Sequence, residues 1–389
     1  MLDFIYNTPT KVFFGRDKEK EVGNIIREYG YKKIMIQYGK ESVVRSGLLD
    51  RVLSSLKDCG IEYVLKGGVE PNPKLSFVRE AVKIARETGV ELILAIGGGS
   101  VLDSSKCTAL GAKNDCDVWD FHLGKEKPKD ALPVGCILTI AAAGSEMSSS
   151  AVLTNTENNM KKGCTTEFNR PKFAIMNPEL TFTLGKYQTA CGIVDIMSHT
   201  MERYFSVCDP TYLTDGIAES ILRAVVKAGT TLKDNPIDYE ARATAMWASS
   251  LSHNGLTGCG RENYLAVHQL EHALSGIFDQ VTHGAGLAVL FPAWARYVYK
   301  YNPSRFAGFA RGVFGVLETD DEKAAILGID KMAEFFKSIG MPSRLSDFNI
   351  GAESVDALTN ACTYSNTRTV KSYIPLGQKE IKEIFESCL

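Results

Sequence analysis

Asp195 and His199 stand four positions apart in GIVDIMSHTMERY, His268 and His272 bracket HQLEH, and His283 follows in VTHGAGLAVLFP. Residues i and i+4 share one face of a helix, so the first two segments can each aim a pair of donors at one point. The chain holds six histidines, and four fall in these three short stretches. A carboxylate and several imidazoles from separate segments can hold a divalent metal, which makes Asp195, His199, His268 and His283 the candidate ligands. The competing reading is a hydrogen-bonded core imidazole at His268 or His272 with Asp195 as a helix-face charge. Carboxylate and imidazole suit Fe(II), Zn(II), Co(II) or Mn(II), and the absence of thiolate removes the strongest pull toward zinc. With four protein ligands, a substrate oxygen makes the ion five-coordinate. Fe(II) accepts that readily and is expected here, with Zn(II) possible. His272 is then left for proton transfer and is the candidate catalytic residue.

A second chemical signal is Gly97-Gly98-Gly99-Ser100, which follows the apolar run ELILAI and opens a helix. There the backbone N–H groups and the helix dipole can face a pyrophosphate, and missing Cβ atoms let it come close. The stretch is not a GxGxxG fingerprint, and a plain tight turn fits it too. Asp103, one turn on, can cap a backbone group or reach a ligand amide. The first strand ends Gln37-Tyr38-Gly39-Lys40 without the carboxylate that holds a ribose 2′-hydroxyl, although Glu41 is close. Lys40 and Ser42 can instead receive a 2′-phosphate, which favours NADP(H) over NAD(H), and Gly39 joins them as a candidate cofactor-binding residue.

These residues must be held by folded elements. At 389 residues, two domains are expected. Strand-like runs at residues 32–39, IEYVLKGGV, ELILAIGGGS and 132–140 alternate with amphipathic stretches such as 43–60, the pattern of a parallel sheet covered on both faces. From about residue 185 helical periodicity takes over, in GIVDIMSHTMERYFSV, ENYLAVHQLEHALSGIF and GAGLAVLFPAWARYVYKY among others. The expected division is an α/β dinucleotide-binding domain over 1–185 and an all-α metal-binding domain over 186–389.

Composition narrows the function. A net charge of -2 gives no basic field for nucleic acid. The segment MLDFIYNTPTKVFFG reads as neither signal peptide nor membrane anchor, and no apolar run is long enough to span a bilayer. Ten cysteines, none in a CxxC pair, read as reduced thiols in a cytoplasmic protein.

Taken together, HQLEHALSGIFDQVTHGAGLAVLFPAW, YNTPTKVFFG, GVEPNPKLSFVREAV, AIGGGSVLDSSK, ILTIAAAGSEMS and GIVDIMSHTMERYF resemble the iron-dependent (group III) alcohol dehydrogenases, in their butanol-dehydrogenase-like branch. The resemblance implies hydride transfer between NAD(P)(H) and a primary alcohol or aldehyde. It implies a metal on Asp195, His199, His268 and His283, with His272 near the nicotinamide. It also implies cofactor contacts from Gly97 to Ser100 and from Asp103, Thr139 and Lys161, with Lys162 an alternative to the last, and a homodimer. Two departures stand out. Ala143 replaces the usual Thr before GSE, and CGRENYLAV (259–267) lacks the expected Gly-Asp-Trp, so the approach to the metal helix is expected to differ. Rival readings are a polyol dehydrogenase of the glycerol type, a dehydroquinate-synthase-like lyase, and a non-catalytic metal- or nucleotide-binding protein. A phosphate-bearing substrate would need clustered cations beside the metal segments, and Arg203 and Arg261, the nearby candidates, are too few. Phe278 and Trp247 lie in segments able to line a pocket.

Overall fold

Short apolar strands organise the first half of the chain. In the computed structural model, which describes residues 1–158, 160–207 and 210–389, these are β1 (Lys11–Phe14), β2 (Lys33–Tyr38), β3 (Glu62–Lys66), β4 (Leu92–Gly97), β5 (Val134–Leu138), β6 (Ser150–Asn155), β7 (Met160–Thr165) and β8 (Phe173–Met176). Six form one sheet in the order β1-β8-β5-β4-β2-β3, and every neighbouring pair is parallel. β6 and β7 pair antiparallel beside it as a separate ribbon. β4, β5 and β8 are buried at every position, as strands covered on both faces must be. The sheet, its ribbon and the surrounding helices form one unit, Asn7–Thr183.

The four strands read from sequence are present, each trimmed by a residue or more. β1, β8 and the β6–β7 ribbon were not anticipated. The helix expected over 43–60 is broken into Ser42–Arg45 and Leu48–Asp58. Gly47 between them has φ +68°, a conformation that glycine adopts without the Cβ penalty.

Strand order places the chemistry. β2 runs on to β3 at one side, whereas β4 runs on to β5 at the other. The carboxyl ends of β2 and β4 therefore flank a topological switch point, where open α/β sheets bind ligands. Gly39 and Lys40 follow β2, and Gly97 to Ser100 follow β4.

The second unit comprises Leu184–Leu389 together with Met1–Tyr6. It is helical, with long helices over Lys186–Tyr204, Tyr212–Asp234, Tyr239–His253, Ala266–Ile277, His283–Val298, Pro303–Phe314 and Asp321–Ser338. The N-terminal residues join it through the Leu2 N–H, which donates to the Gly260 carbonyl at 2.9 Å. Met197, Leu270, Leu274, Leu287 and Phe291 are fully buried in its core, each contributing about 1.5–3 kcal/mol of burial energy. Two glycines let the helices close. A Cβ on Gly284 would overlap the Cys191 carbonyl, and one on Gly286 would stand 3.0 Å from Glu271 Cγ.

Nine described cysteines are unpaired, while Cys208 lies outside the described residues. No helix among the described residues is long and apolar enough to cross a membrane.

Candidate metal centre and cofactor turn

The helix Lys186–Tyr204 carries Asp195 and His199 one turn apart, both buried. The helix Ala266–Ile277 brings in His268 near its N-terminus, and His283 is the first residue of the helix His283–Val298. All three imidazoles converge on one oxygen. Asp195 Oδ1 lies 3.4 Å from His199 Nε2, 3.6 Å from His268 Nε2 and 3.7 Å from His283 Nε2. A tetrahedral ion with bonds of about 2.1 Å has ligand atoms about 3.4 Å apart, so these separations fit a shared cation better than hydrogen bonds. Asp195 Oδ1 and His268 Nε2 are buried without a hydrogen-bond partner. Such atoms are rare in folded proteins and call for an explanation, which a bound ion supplies. Asp195, His199 and His268 also form a group of potential ligands within 4.8 Å of one another.

The far sides of the rings are held as well. The Glu202 carboxylate takes His268 Nδ1 on one oxygen and the Val267 N–H on the other. The Glu271 carboxylate takes His283 Nδ1. Such partners fix which imidazole nitrogen faces the ion and raise its basicity. Burial alone pulls the His268 pKa down, but Glu202 and Asp195 outweigh it and hold the value up at about 9. Burial pushes His199 well below its ordinary value, and the neighbouring His253 and His268 push the same way. Three carboxylates, Asp195, Glu202 and Glu271, are thus buried around imidazoles, an environment that favours a dication.

His272 is half-buried on the same helix as His268, its ring centroid 6.5 Å from that of His268 and 5.8 Å from that of His283. It shares a second group of potential ligand atoms with Glu271 and His283. Arg203 and Arg261 are engaged internally. Arg203 donates to the His199 carbonyl at 2.6 Å. Arg261 donates to Asp215 at 2.6 Å and to the Arg203 carbonyl at 3.2 Å. Trp247 is 41% exposed, whereas Phe278 packs partly buried on the helical core. In the 259–267 stretch Leu265 takes a left-handed conformation, φ +48°, immediately before the helix that delivers His268.

In the sheet unit, Gly97 ends β4 and Gly98 precedes the helix Gly99–Lys113. A Cβ on Gly98 would stand 3.0 Å from the Ile140 side chain, and one on Gly99 would stand 3.2 Å from Ala143 Cβ. These glycines are packed against Ile140 and Ala143, so the turn has no room for a Cβ at either position. No acidic residue lies in the helix's first turn. Thr139 adjoins it, donating its N–H to the Gly97 carbonyl at 3.0 Å. Asp103 caps backbone and side chain: it accepts from the Val152 N–H at 3.0 Å and from Ser145 Oγ at 2.7 Å. Burial raises its pKa, and Lys106 and these bonds oppose that. Lys161 Nζ donates to Asn72 at 3.0 Å, and the Lys162 carbonyl faces His122 Nδ1 at 2.9 Å. Lys40 pairs with Glu70 at 2.7 Å on the surface, and Ser42 opens the short helix Ser42–Arg45.

Four residues escaped the sequence reading. Glu202 and Glu271 lie in the quoted motifs, three positions beyond His199 and His268, but nothing distinguishes them from surface carboxylates. His253 reaches His199 from the helix Tyr239–His253. Lys106 is fully buried, its Nζ donating to Ser145 Oγ at 2.8 Å and to the Ser150 carbonyl at 2.9 Å.

Comparison with known proteins bears on both units. Residues 9–178 match the family model described as iron-containing alcohol dehydrogenase, and residues 189–389 match the model of the Fe-containing alcohol dehydrogenase family, C-terminal. The chain is 41% identical over 388 residues to NADH-dependent butanol dehydrogenase A of Clostridium acetobutylicum, covering 99% of each chain. It is 33% identical over 361 residues to the NADPH-dependent aldehyde reductase YqhD of Escherichia coli, covering 92% of each. Its structure is similar to that of NADH-dependent butanol dehydrogenase A from Thermotoga maritima, with a TM-score of 0.97 and 38% identity over 100% of this chain and 99% of that one. With both halves matched, the chain belongs to the iron-containing alcohol dehydrogenase family of oxidoreductases.

Proposed function

We propose that this protein interconverts a primary alcohol and its aldehyde by hydride exchange with NADP(H), with Asp195, His199, His268 and His283 holding Fe(II). The observation that carries the reading is Asp195 Oδ1, buried without a hydrogen-bond partner and 3.4–3.7 Å from three imidazole nitrogens. The ion supplies, when bound, Lewis acidity toward the substrate oxygen, and the hydride chemistry belongs to the nicotinamide. His272 gives or takes the hydroxyl proton, either directly or through a cofactor hydroxyl. Glu202 and Glu271 keep the ligand rings oriented, so little reorganisation accompanies the reaction.

An uncharged substrate suits this site, because Arg203 and Arg261 already serve internal acceptors and neither is left to hold a phosphate. Butanol dehydrogenases and an aldehyde reductase are more similar to the chain than are 1,3-propanediol dehydrogenases, at 30–31% identity. That supports simple alcohols over polyols. Iron is preferred to zinc because the donors are carboxylate and imidazole alone.

NADP(H) is favoured because β2 ends without a carboxylate and Lys40 and Ser42 follow. The Lys40–Glu70 pair is exposed at both ends, so it holds the lysine only weakly. The names of several relatives specify NADH, which makes kcat/KM with each cofactor the deciding measurement. Unpaired cysteines suit a reducing cytoplasm, and the quaternary state expected for the family is a homodimer.

The test is metal analysis of anaerobically purified protein, combined with NADPH and NADH oxidation across an aldehyde series. One equivalent of iron per chain and faster turnover of linear aldehydes with NADPH are expected. Protein that binds no divalent metal, or metal-loaded protein inert toward every aldehyde and alcohol, would overturn the reading.

A further inference from the structure

Leu265, immediately before the helix Ala266–Ile277, has φ +48°, and Tyr364, Ser365 and Asn366 follow one another at +49°, +54° and +65° after the helix Val355–Thr363. Left-handed backbone is unfavourable for a residue such as Leu or Tyr, and it persists only where the surroundings over-determine it. Arg368 and Gln269 join the two segments. Arg368 Nη1 donates to Gln269 Oε1 at 3.0 Å and its Nε to the Cys362 carbonyl at 2.9 Å, with the guanidinium 3.8 Å from the centroid of the Tyr364 ring. The Gln269 side-chain amide donates in turn to the Tyr264 carbonyl at 3.0 Å, and the Gln269 backbone N–H to the Leu265 carbonyl at 3.2 Å. The left-handed run folds its chain back, so that the Arg368 N–H reaches the Thr363 carbonyl at 3.2 Å and its side chain lies across Tyr364.

We propose that Arg368 is a positioning residue for the helix that carries His268 and His272, acting through Gln269; the proposal rests on the metal reading above. Gln269 adjoins His268 and stands three positions before His272 on that helix. Glu202 holds the helix's start at the Val267 N–H, and Gln269 holds Tyr264 and Leu265, the residues that lead into it. The first turn is thereby fixed at two points. The Gln269 amide can donate to the Tyr264 carbonyl only with its oxygen turned away, toward another donor. Arg368 is that donor, and so decides which way the amide faces. Arginine suits the task because its planar fork serves Gln269 and the Cys362 carbonyl at once. Without it the amide loses its orientation, the strained Leu265 loses a restraint, and the first turn can rotate, displacing both imidazoles together.

The test is a double-mutant cycle on the Co(II)-substituted full-length protein. Wild type, Arg368→Met, Gln269→Met and the double variant are compared by their visible ligand-field bands and by kcat and KM for butanal, with Tm to confirm folding. Methionine is unbranched and helix-compatible, and it removes the polar bond at either position. Each single variant is expected to shift the bands and lower kcat about 10–100-fold, the scale of a small misplacement of reacting groups. KM should stay nearly constant, so that kcat/KM falls with kcat. The double variant should fall no further than the worse single one, to within about twofold, because both break the same link. Arg311→Met removes an anchor of the Glu318 and Thr319 carbonyls elsewhere in the helical unit and controls for general destabilisation. It should leave the bands and kcat unchanged. Either single variant with wild-type bands and kcat would overturn the proposal. So would additive losses in the double variant, or changes in Arg311→Met as large as those in Arg368→Met. If Arg368→Met does not fold, Gln269→Met decides alone by the same bands and the same split of kcat from KM. Wild type that takes up no Co(II) would refute the metal reading, and the proposal with it.

Discussion

Glu202 and His268 are joined by a carboxylate that spans two tasks: one oxygen takes the imidazole Nδ1 and the other takes the backbone N–H of Val267, in the first turn of the helix carrying His268. The imidazole's orientation and the helix's starting point are thus set by one side chain from a different helix.

Glu202→Ala should therefore cost stability and metal together. It leaves a buried imidazole and a buried N–H without acceptors, at about 1–3 kcal/mol each. It also removes a partner worth roughly 10–100-fold in metal affinity. Denaturant unfolding and chelator competition measure the two effects, and Glu202→Gln should recover part of the stability but less of the affinity.

His272 and the ligand histidines should separate cleanly. Replacing His268 or His283 by Ala is expected to remove the metal and nearly all activity. His272→Ala should keep one equivalent of metal while lowering kcat by roughly 10²–10⁴-fold and altering the pH profile. Loss of metal from His272→Ala would exchange the roles assigned to these imidazoles.

Gly284 is where the helix beginning at His283 leans on the helix carrying Asp195, and any Cβ there meets the Cys191 carbonyl. Because that obstacle is backbone, the helix must move rather than a side chain. Gly284→Ala is expected to destabilise the protein by about 1–3 kcal/mol or more, seen as a lowered Tm, and to weaken metal binding by displacing His283.

Acid should act on the sheet unit through His122, whose pKa burial lowers from 6.5 to about 4. Because the folded state resists a proton that the unfolded chain accepts, His122 contributes its full stability above pH 6.5. That contribution drains away as the pH falls toward 4 and amounts to about 3 kcal/mol in total. In denaturant unfolding at pH 7 and pH 4, His122→Phe should lose less stability than wild type over that interval. Equal losses would show that His122 titrates normally.

The residues that meet at Asp195 could be read from the chain because i, i+4 pairs and an unusual concentration of histidines leave a mark on sequence. The glycine turn could be read because three glycines between a strand and a helix have few other uses. Glu202 and Glu271 could not, since a carboxylate that holds a buried imidazole has the same one-dimensional appearance as a solvated one. Lys106 was hidden for the opposite reason: lysine is seldom fully buried, so a helix pattern puts it in solvent. Among the elements, β1 and β8 are four residues each, too short for periodicity to register, and the polar MKKGCT of β7 gives no apolar alternation. Gly47 split a helix whose hydrophobic spacing runs straight through it.

The first six residues have a practical consequence. They pack with the helical half, through the Leu2–Gly260 bond, before the chain enters the sheet at β1. Dissecting the enzyme by a single cut near residue 184 would strip the helical fragment of its own N-terminal strap just upstream of the helix bearing His268. A faithful excision instead removes 7–183 as an insert and rejoins Tyr6 to Leu184 through a linker.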